Sequence, residues 1–166
     1  VPKGVYYFNN LNASTAPYLG NKFWCFGMEY NMDSNNYKVF RFAGATLNLA
    51  EAHLMCNDFE KACAYLNAVK SRAGLDTVSP SDFSSRDALL AEIQDECARE
   101  LFGEFNRRHD LVRWGIWHEK CLNYGNTTLK NNIRNYPCRQ YYPIPDVQVN
   151  LSNNALDNDE YRKYGL

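Results

Sequence analysis

Three apolar stripes with helical spacing lie between residues 39 and 105, and they restrict the fold more than any other feature of the chain. Apolar residues that recur every three or four positions place one face of a helix against a core. With 45% hydrophobic and 22% charged residues, the composition is that of an ordinary globular protein. We therefore predict an all-α, mostly helical fold with long irregular loops. The stripes cover about residues 39–56, 59–74, and 86–102 or 86–105.

The first two stripes resemble a tetratricopeptide-type helical hairpin over residues 39–74. Small alanines between the larger residues would let the two helices approach closely. The 34-residue repeat does not recur downstream, and one hairpin cannot bury both of its faces. We expect it to pack on the following helix or on repeats outside this sequence, as part of a larger protein. The expected inward side chains are Phe42, Leu49, Ala50 and Leu54 on the first helix, and Phe59, Ala62, Cys63, Leu66 and Val69 on the second.

A chain of 166 residues is long enough for one domain with a sizeable core and short for two. The pattern divides this domain into four parts. We expect loops rich in aromatic residues and asparagine over residues 1–38, and the hairpin over 39–74. Further helices, with a break near Gly115, cover 86–121. Residues 122–166 are predicted to form an asparagine-rich loop to residue 140, an extended Pro-Ile-Pro segment and an irregular tail.

Residues 96–115 combine a helical apolar stripe with many charges. Glu96, Glu100 and Glu104 recur every four residues and so form a row on one helix face. Glycoside hydrolysis instead needs two carboxyl groups that face each other across a bond. Nearby arginines would also favour the charged carboxylate, which does not suit a general acid. We interpret this segment as a structural ion-pair cluster with Trp114 packed beneath it. Its members are Glu96, Arg99, Glu100, Glu104, Arg107, Asp110 and Arg113.

Several classes of function find no support in the sequence. The net charge of −1 gives no electrostatic argument for nucleic acid or an anionic membrane. No Cys/His group has zinc-site spacing, and no GxSxG, HExxH, P-loop or GxGxxG motif is present. We expect no catalytic centre, no metal and no cofactor. A disulfide between Cys56 and Cys63 is possible but not favoured.

The chain is rich in groups that suit neutral polyhydroxylated ligands, with 12 tyrosines and 20 asparagines. Aromatic rings offer flat faces on which sugars can stack, and amides offer uncharged donors and acceptors. The same rings could simply cover the helices, and the sequence does not separate the two interpretations. The candidate glycan-binding residues are Tyr6, Tyr7, Trp24, Phe26, Tyr30, Asn31 and Tyr124.

Four ordered blocks resemble those of one family, the SusD/RagB outer-membrane glycan-binding lipoproteins. The first runs from Arg41-Phe42-Ala43 to Ala50-Glu51-Ala52, and the second is Arg72-Ala73-Gly74-Leu75. The third ends in Asp110-Leu111, then Arg113-Trp114-Gly115. The fourth begins with Tyr141-Tyr142-Pro143-Ile144-Pro145. Gly44 departs from the family pattern, which usually has Glu there. The blocks cover residues 41–52, 72–75, 96–115 and 141–161.

The resemblance implies a helical, non-catalytic lipoprotein on the surface of the bacterial outer membrane. Such a protein captures oligo- or polysaccharides and passes them to a SusC-like TonB-dependent transporter. This chain would be its C-terminal portion, with the lipid anchor upstream. The matching blocks are scaffold blocks, so no binding residue transfers from them. The alternative is a tetratricopeptide-like protein-interaction scaffold without a sugar site. A hydrolase that uses Glu100 is a more distant third.

Overall fold

The computed structural model describes residues 38–153 and 155–166, and each regular element in that part of the chain is helical. The predicted all-α fold is therefore confirmed for the described residues. Short 3-10 turns lie at Pro80–Asp82 and Pro137–Gln140. The α-helices of this part are α1 (Phe42–Met55), α2 (Phe59–Arg72), α3 (Arg86–Glu100), α4 (Arg107–Arg113), α5 (Trp117–Tyr124), α6 (Thr127–Asn135), α7 (Asp146–Leu151) and α8 (Asp159–Arg162).

Helices α1, α2 and α3 pack together around the larger of two apolar clusters. The hairpin α1–α2 forms as predicted, and α3 packs on both of its helices. The sequence analysis expected the hairpin to pack on the following helix or on repeats outside this sequence. The structure shows that it packs on the following helix, α3. The stripes predicted for α2 and α3 are largely the buried ones. The fully buried apolar residues of this cluster are Leu47, Ala50, Leu54, Ala62, Leu66, Leu89 and Ile93.

The predicted inward face of α1 is wrong in part. Phe42 is 87% exposed and Leu49 is 46% exposed, whereas Leu47 and Leu54 are fully buried. The two members of each pair are seven residues apart, which is about two helical turns, so each pair lies along one stripe of the helix. Because α1 is apolar on more than one face, the periodicity alone did not determine which stripe meets α2 and α3. The helix also begins at Phe42, three residues later than predicted, after Arg41 in an extended conformation.

Local signals explain where the first three helices begin and end. The Asp58 carboxylate accepts a hydrogen bond from the backbone N–H of Lys61 at 3.2 Å and so caps α2. Ser85 caps α3 in the same way. After α2 the chain turns at Gly74, which has a φ of +74°. Helix α3 ends at Glu100, earlier than predicted, and the following residues include Gly103 and Phe105 with positive φ.

Helices α4, α5 and α6 surround a second, smaller apolar cluster made by Leu111, Trp117 and Ile133. The predicted break near Gly115 is present, since α4 ends at Arg113 and α5 begins at Trp117. Gly115 has a φ of +72°, a conformation that glycine adopts without steric cost. The chain therefore changes direction between two helices that share one cluster.

The predicted asparagine-rich loop over residues 122–140 is wrong. Most of it is helical, with the end of α5, all of α6 and the 3-10 turn. The Asn126 side chain accepts a hydrogen bond from the N–H of Leu129 at 2.8 Å, so this asparagine caps α6. Ile133 supplies the buried side chain that holds α6 in place. Segment 141–145 carries no helix, as the prolines predicted, and the tail beyond it includes the short helices α7 and α8.

Candidate functional site

Arg113 joins α4 to α1 through a bidentate ion pair with Glu51. Its Nη1 and Nη2 atoms lie 2.5 and 2.6 Å from the two carboxylate oxygens of Glu51, and its Nε donates to Asp110 at 2.9 Å. Trp114 donates from its indole Nε1 to Glu51 at 2.8 Å. The hydrogen bonds to Glu51, followed by those to Asp110, raise the pKa of Arg113. Glu51 thus receives two bonds from the last residue of α4 and one from the residue that follows it.

Arg41 joins the start of α1 to the end of α3. Its Nε donates to Glu104 at 2.8 Å, and its Nη1 lies 2.9 Å from a carboxylate oxygen of Glu100. The bond to Glu104 raises the pKa of Arg41 most, and the bond to Glu100 adds to it. Arg72, at the end of α2, lies 2.5 Å from the second carboxylate oxygen of Glu100. Glu100 therefore connects three helices.

A third group of charges lies along α3. Glu96 is almost fully buried and accepts from the Nε of Arg99 at 2.9 Å. Arg99 also lies 3.0 Å from Glu92, whose carboxylate pairs with Lys70 of α2 at 2.6 Å. These ion pairs connect α3 to α2. We call the three groups together the charge frame; its residues are Arg41, Glu51, Lys70, Arg72, Glu92, Glu96, Arg99, Glu100, Glu104, Asp110 and Arg113.

Six of the seven charges singled out in the sequence have ion-pair partners in the charge frame, and Arg107 behaves differently. Its Nη1 donates to the carbonyl of Gln94 at 3.0 Å, and its guanidinium lies 5.9 Å from the ring centre of Trp114. Sequence reasoning missed five members of the charge frame. Arg41, Glu51 and Arg72 carried a usable signal, because they lie in the blocks at 41–52 and 72–75. Lys70 and Glu92, in contrast, lie outside the blocks.

A cleft with a volume of about 480 Å³ lies beside the Pro-Ile-Pro segment, and we call it the tyrosine cleft. Its walls come from the 3-10 turn at Pro137–Gln140, the extended segment and the start of α8. The polar lining also includes Gln140, Asp157, Asn158 and Glu160, and Cys138 lies in its wall. The tyrosines that define the cleft are Tyr141, Tyr142, Tyr161 and Tyr164.

Hydrogen bonds fix the walls of the tyrosine cleft to one another. The Asn158 amide donates to the carbonyl of Ile144 and accepts from its N–H, both at 2.8 Å. The Tyr161 hydroxyl donates to the carbonyl of Tyr141. Burial of the phenol raises the pKa of Tyr161 further above neutral pH, where an ordinary tyrosine hydroxyl is already protonated and able to donate.

Arg108 of α4 contacts the 3-10 turn and one tyrosine of the cleft. Its Nη2 donates to the carbonyl of Arg139 at 2.6 Å, within the 3-10 turn. Its guanidinium lies 4.3 Å from the ring centre of Tyr142 and 5.5 Å from that of Trp117. A cation held over an aromatic face favours one ring orientation. The second apolar cluster and the cleft are therefore connected through one side chain.

Of the candidate sugar-binding residues of the sequence, Tyr124 is the one that falls within the described residues. Tyr6, Tyr7, Trp24, Phe26, Tyr30 and Asn31 fall outside the described residues, so they remain predictions. Tyr124 is at the end of α5 with 81% of its surface exposed, and the cleft wall does not include it. The sequence did carry a signal for the cleft, since the block that begins at residue 141 holds two of its tyrosines.

Comparison with known proteins places these features in a family. The model of the SusD family matches residues 2–161. The chain belongs to the SusD family. It is also similar to SusD-like protein P25 of Formosa agariphila, with 36% identity over 135 residues, which are 78% of this chain and 25% of that protein. The chain thus spans about a quarter of the length of this SusD relative. No solved structure matches it significantly.

SusD family proteins are non-catalytic binding proteins. The blocks by which the sequence resembles the SusD family contribute most of the charge frame. No helix among residues 38–153 and 155–166 is both long and apolar enough to cross a bilayer. In the same part of the chain, no group of three or more His, Cys, Asp or Glu side chains is placed to hold a metal ion.

Proposed function

We propose that this chain is the C-terminal part of a SusD-family lipoprotein on the bacterial cell surface. It binds glycans without cleaving them and delivers them to a SusC-like TonB-dependent transporter in the outer membrane. The SusD-family match over residues 2–161 is the observation that carries the proposal. The 36% identity to a SusD-like protein supports it.

The arrangement of the carboxylates favours binding over hydrolysis. A glycosidase needs one carboxyl group that gives a proton and a second one across the bond. Glu100 and Glu104, the carboxylates closest to such a role in the sequence, both bond to Arg41. Glu96 is buried against Arg99. These side chains hold helices together, so a hydrolase that uses Glu100 has little support.

Native affinity electrophoresis of the full-length protein tests glycan binding directly. Gels would contain amylopectin, galactomannan, xylan or polygalacturonate, and serum albumin would serve as the non-binding standard. We expect at least one polysaccharide to retard the protein relative to a gel without polymer. Normal mobility in all four gels, with or without the transporter, would contradict the proposed function.

The transporter partnership needs a separate measurement. We expect the full-length lipoprotein to co-elute with the SusC-like transporter of its own bacterium when the two are expressed together and extracted in mild detergent. Separate elution at low and at physiological salt would argue against this partner, while glycan binding would still stand on its own test.

The packing of α3 on the α1–α2 hairpin also favours a second candidate, a protein-interaction scaffold without a sugar site. Retardation of the wild-type protein in the polysaccharide gels separates the two candidates, and the substitution Trp24→Ala then tests the role of this residue. Loss of retention in the gels with an unchanged melting temperature would support a sugar contact at Trp24. A lower melting temperature with unchanged retention would assign Trp24 a packing role.

A further inference from the structure

We infer that the tyrosine cleft is a subsite for neutral pyranose units of a bound glycan. This inference rests on the proposed glycan-binding function and adds to it a location and a class of sugar. The cleft volume of about 480 Å³ lies within the roughly 300–1,000 Å³ range of small-ligand sites.

The aromatic rings of the cleft are unusually accessible. Tyr141, Tyr142 and Tyr164 are 64%, 69% and 40% exposed, although they lie around one concave surface. Single exposed aromatic residues need no explanation, but a cluster of them marks a contact surface. One face of a pyranose ring is made of C–H bonds, and such faces pack on aromatic rings. The phenol hydroxyls at the ring edges can bond to sugar hydroxyls.

The charges of the cleft indicate which sugars it can accept. Asp157 and Glu160 lie in its wall, and the wall residues that the structure describes include no lysine or arginine. Carboxylates accept hydrogen bonds from sugar hydroxyls and repel the carboxylates or sulfates of acidic sugars. Lys163 pairs with Glu160 at 2.5 Å, whereas Asp157 accepts from the backbone N–H of Asp159. Because Lys163 offsets the charge of Glu160, the preference of the cleft for neutral over acidic units rests on Asp157 and on the lack of Lys or Arg among the described wall residues.

The cleft is also organised before a ligand arrives. Asn158 fixes the extended segment, Tyr161 bonds across to it, and the guanidinium of Arg108 lies over the ring of Tyr142. Contacts that are already ordered lose less entropy on binding. A stacked sugar would meet a fixed platform, so little binding energy would be lost in ordering the site.

A thiol in the cleft wall offers a test on the unmodified full-length protein. Cys138 lies in the wall, whereas Cys56 is an exposed free thiol at the end of α1 and serves as the control. Iodoacetamide labelling of both would be followed by mass spectrometry with malto-, manno-, galacto-, xylo- or galacturono-oligosaccharides present. We expect at least one neutral series to slow labelling of Cys138 several-fold, and labelling of Cys56 to stay unchanged.

Substitutions test the same site in the polysaccharide gels. We expect Tyr142→Ala and Tyr164→Ala each to remove most of the retardation that a neutral polymer causes. Phe42→Ala is the control, because this aromatic residue of α1 is 87% exposed and lies outside the cleft wall, and it should keep full retardation. Circular dichroism melting shows whether each variant is folded, and the labelling test does not depend on any variant.

The outcomes separate the subsite from the proposed function. If the protein is retarded by a neutral polymer, but both tyrosine variants behave as wild type and Cys138 is not protected, the cleft is not the subsite and glycan binding stands. Retardation by polygalacturonate alone overturns the neutral class and also leaves glycan binding intact. Normal mobility in every gel overturns both.

Discussion

Burial sets the reactivity of individual side chains in this protein, and the cysteines show it most directly. Cys97 lies in the cluster between α1, α2 and α3 with 4% of its surface exposed. Burial raises the pKa of its thiol to about 12, since a thiolate would lose its hydration there. Cys56 and Cys63 are both free thiols, so the disulfide that the sequence left open does not form.

We predict that Cys97 is inert to iodoacetamide at pH 8 in the folded protein, while exposed Cys56 reacts. The thiolate is the reacting form, and at that pH a thiol with a pKa near 12 is almost entirely protonated. Mass spectrometry of peptides from a labelling time course gives both rates. In concentrated urea the two rates should become similar. Equal rates in the folded protein would contradict the described burial of Cys97.

At the scale of single helices, two glycines have opposite roles. Gly115 ends the α4 region with a φ of +72°, and a Cβ atom there would meet no atom within 4 Å. Gly44 lies inside α1, where a Cβ would make ordinary contact with Leu101 at 3.7 Å. The cost of a side chain at Gly115 is therefore backbone strain, whereas at Gly44 an alanine would fit and favour the helix.

We predict opposite signs for Gly115→Ala and Gly44→Ala in urea denaturation. The first should lower the free energy of unfolding by about 1–2 kcal/mol, the cost of a left-handed conformation for a residue with a Cβ. The second should raise it by up to about 1 kcal/mol, the difference in helix propensity between alanine and glycine. Effects of the same sign would show that these local conformations are assigned incorrectly.

The bond between Arg113 and Glu51 connects two helices that lie far apart in the sequence. The Glu51 side chain is 12% exposed and Arg113 is 43% exposed, so the pair is only partly removed from water. Solvent screening reduces its strength below that of a fully buried pair. Its two parallel bonds nevertheless give it the strong geometry of an arginine–carboxylate pair.

We predict that Arg113→Ala lowers the free energy of unfolding by about 1.5–3 kcal/mol, the range for hydrogen bonds to charged groups. A double-mutant cycle with Glu51→Gln measures the part due to this pair. Arg162→Ala serves as the control, because its pair with Asp159 is well exposed, and should cost less than about 0.5 kcal/mol. Additive effects of Arg113→Ala and Glu51→Gln would contradict a direct energetic link.

Across the whole described region, the sequence correctly predicted the structural features that depend only on the spacing of neighbouring residues. The buried stripe of α2, the break at Gly115 and the extended segment at 141–145 all follow from nearby residues. The buried face of α1 does not, because two stripes compete there and tertiary packing decides. Helix α6 was missed because Asn126 was read as part of a loop, although it caps a helix.

The charge frame and the tyrosine cleft were harder to predict for a different reason. Residues that are about 60 positions apart, such as Glu51 and Arg113, meet only after the helices have packed. Spacing predicted one row of three carboxylates on α3, but the helix ends at Glu100 and Glu104 lies beyond it. The arginines that reach these carboxylates from the start of α1 and from α2 were not predicted. The cleft likewise combines a turn, an extended segment and a short helix, and no single periodic pattern marks it.

Arg108 connects the second apolar cluster to the cleft, which gives a prediction for the region as a whole. We expect Arg108→Ala to speed hydrogen exchange over residues 137–145 several-fold, because the carbonyl of Arg139 and the ring of Tyr142 lose their support. Exchange in α1–α3 should stay unchanged. Arg134→Ala, on the exposed side of α6, is the control. Unchanged exchange over residues 137–145 would contradict this role.

Trp114 packs against both apolar clusters while its indole N–H bonds to Glu51. A residue shared by two clusters couples their stabilities, since loosening either one removes contacts from the other. Residues 40–166 should therefore unfold as a single cooperative unit, visible as one calorimetric transition with equal calorimetric and van't Hoff enthalpies. In mechanical terms, Trp114 ties the helical hairpin to helices α4–α6, so the two clusters can come apart only together.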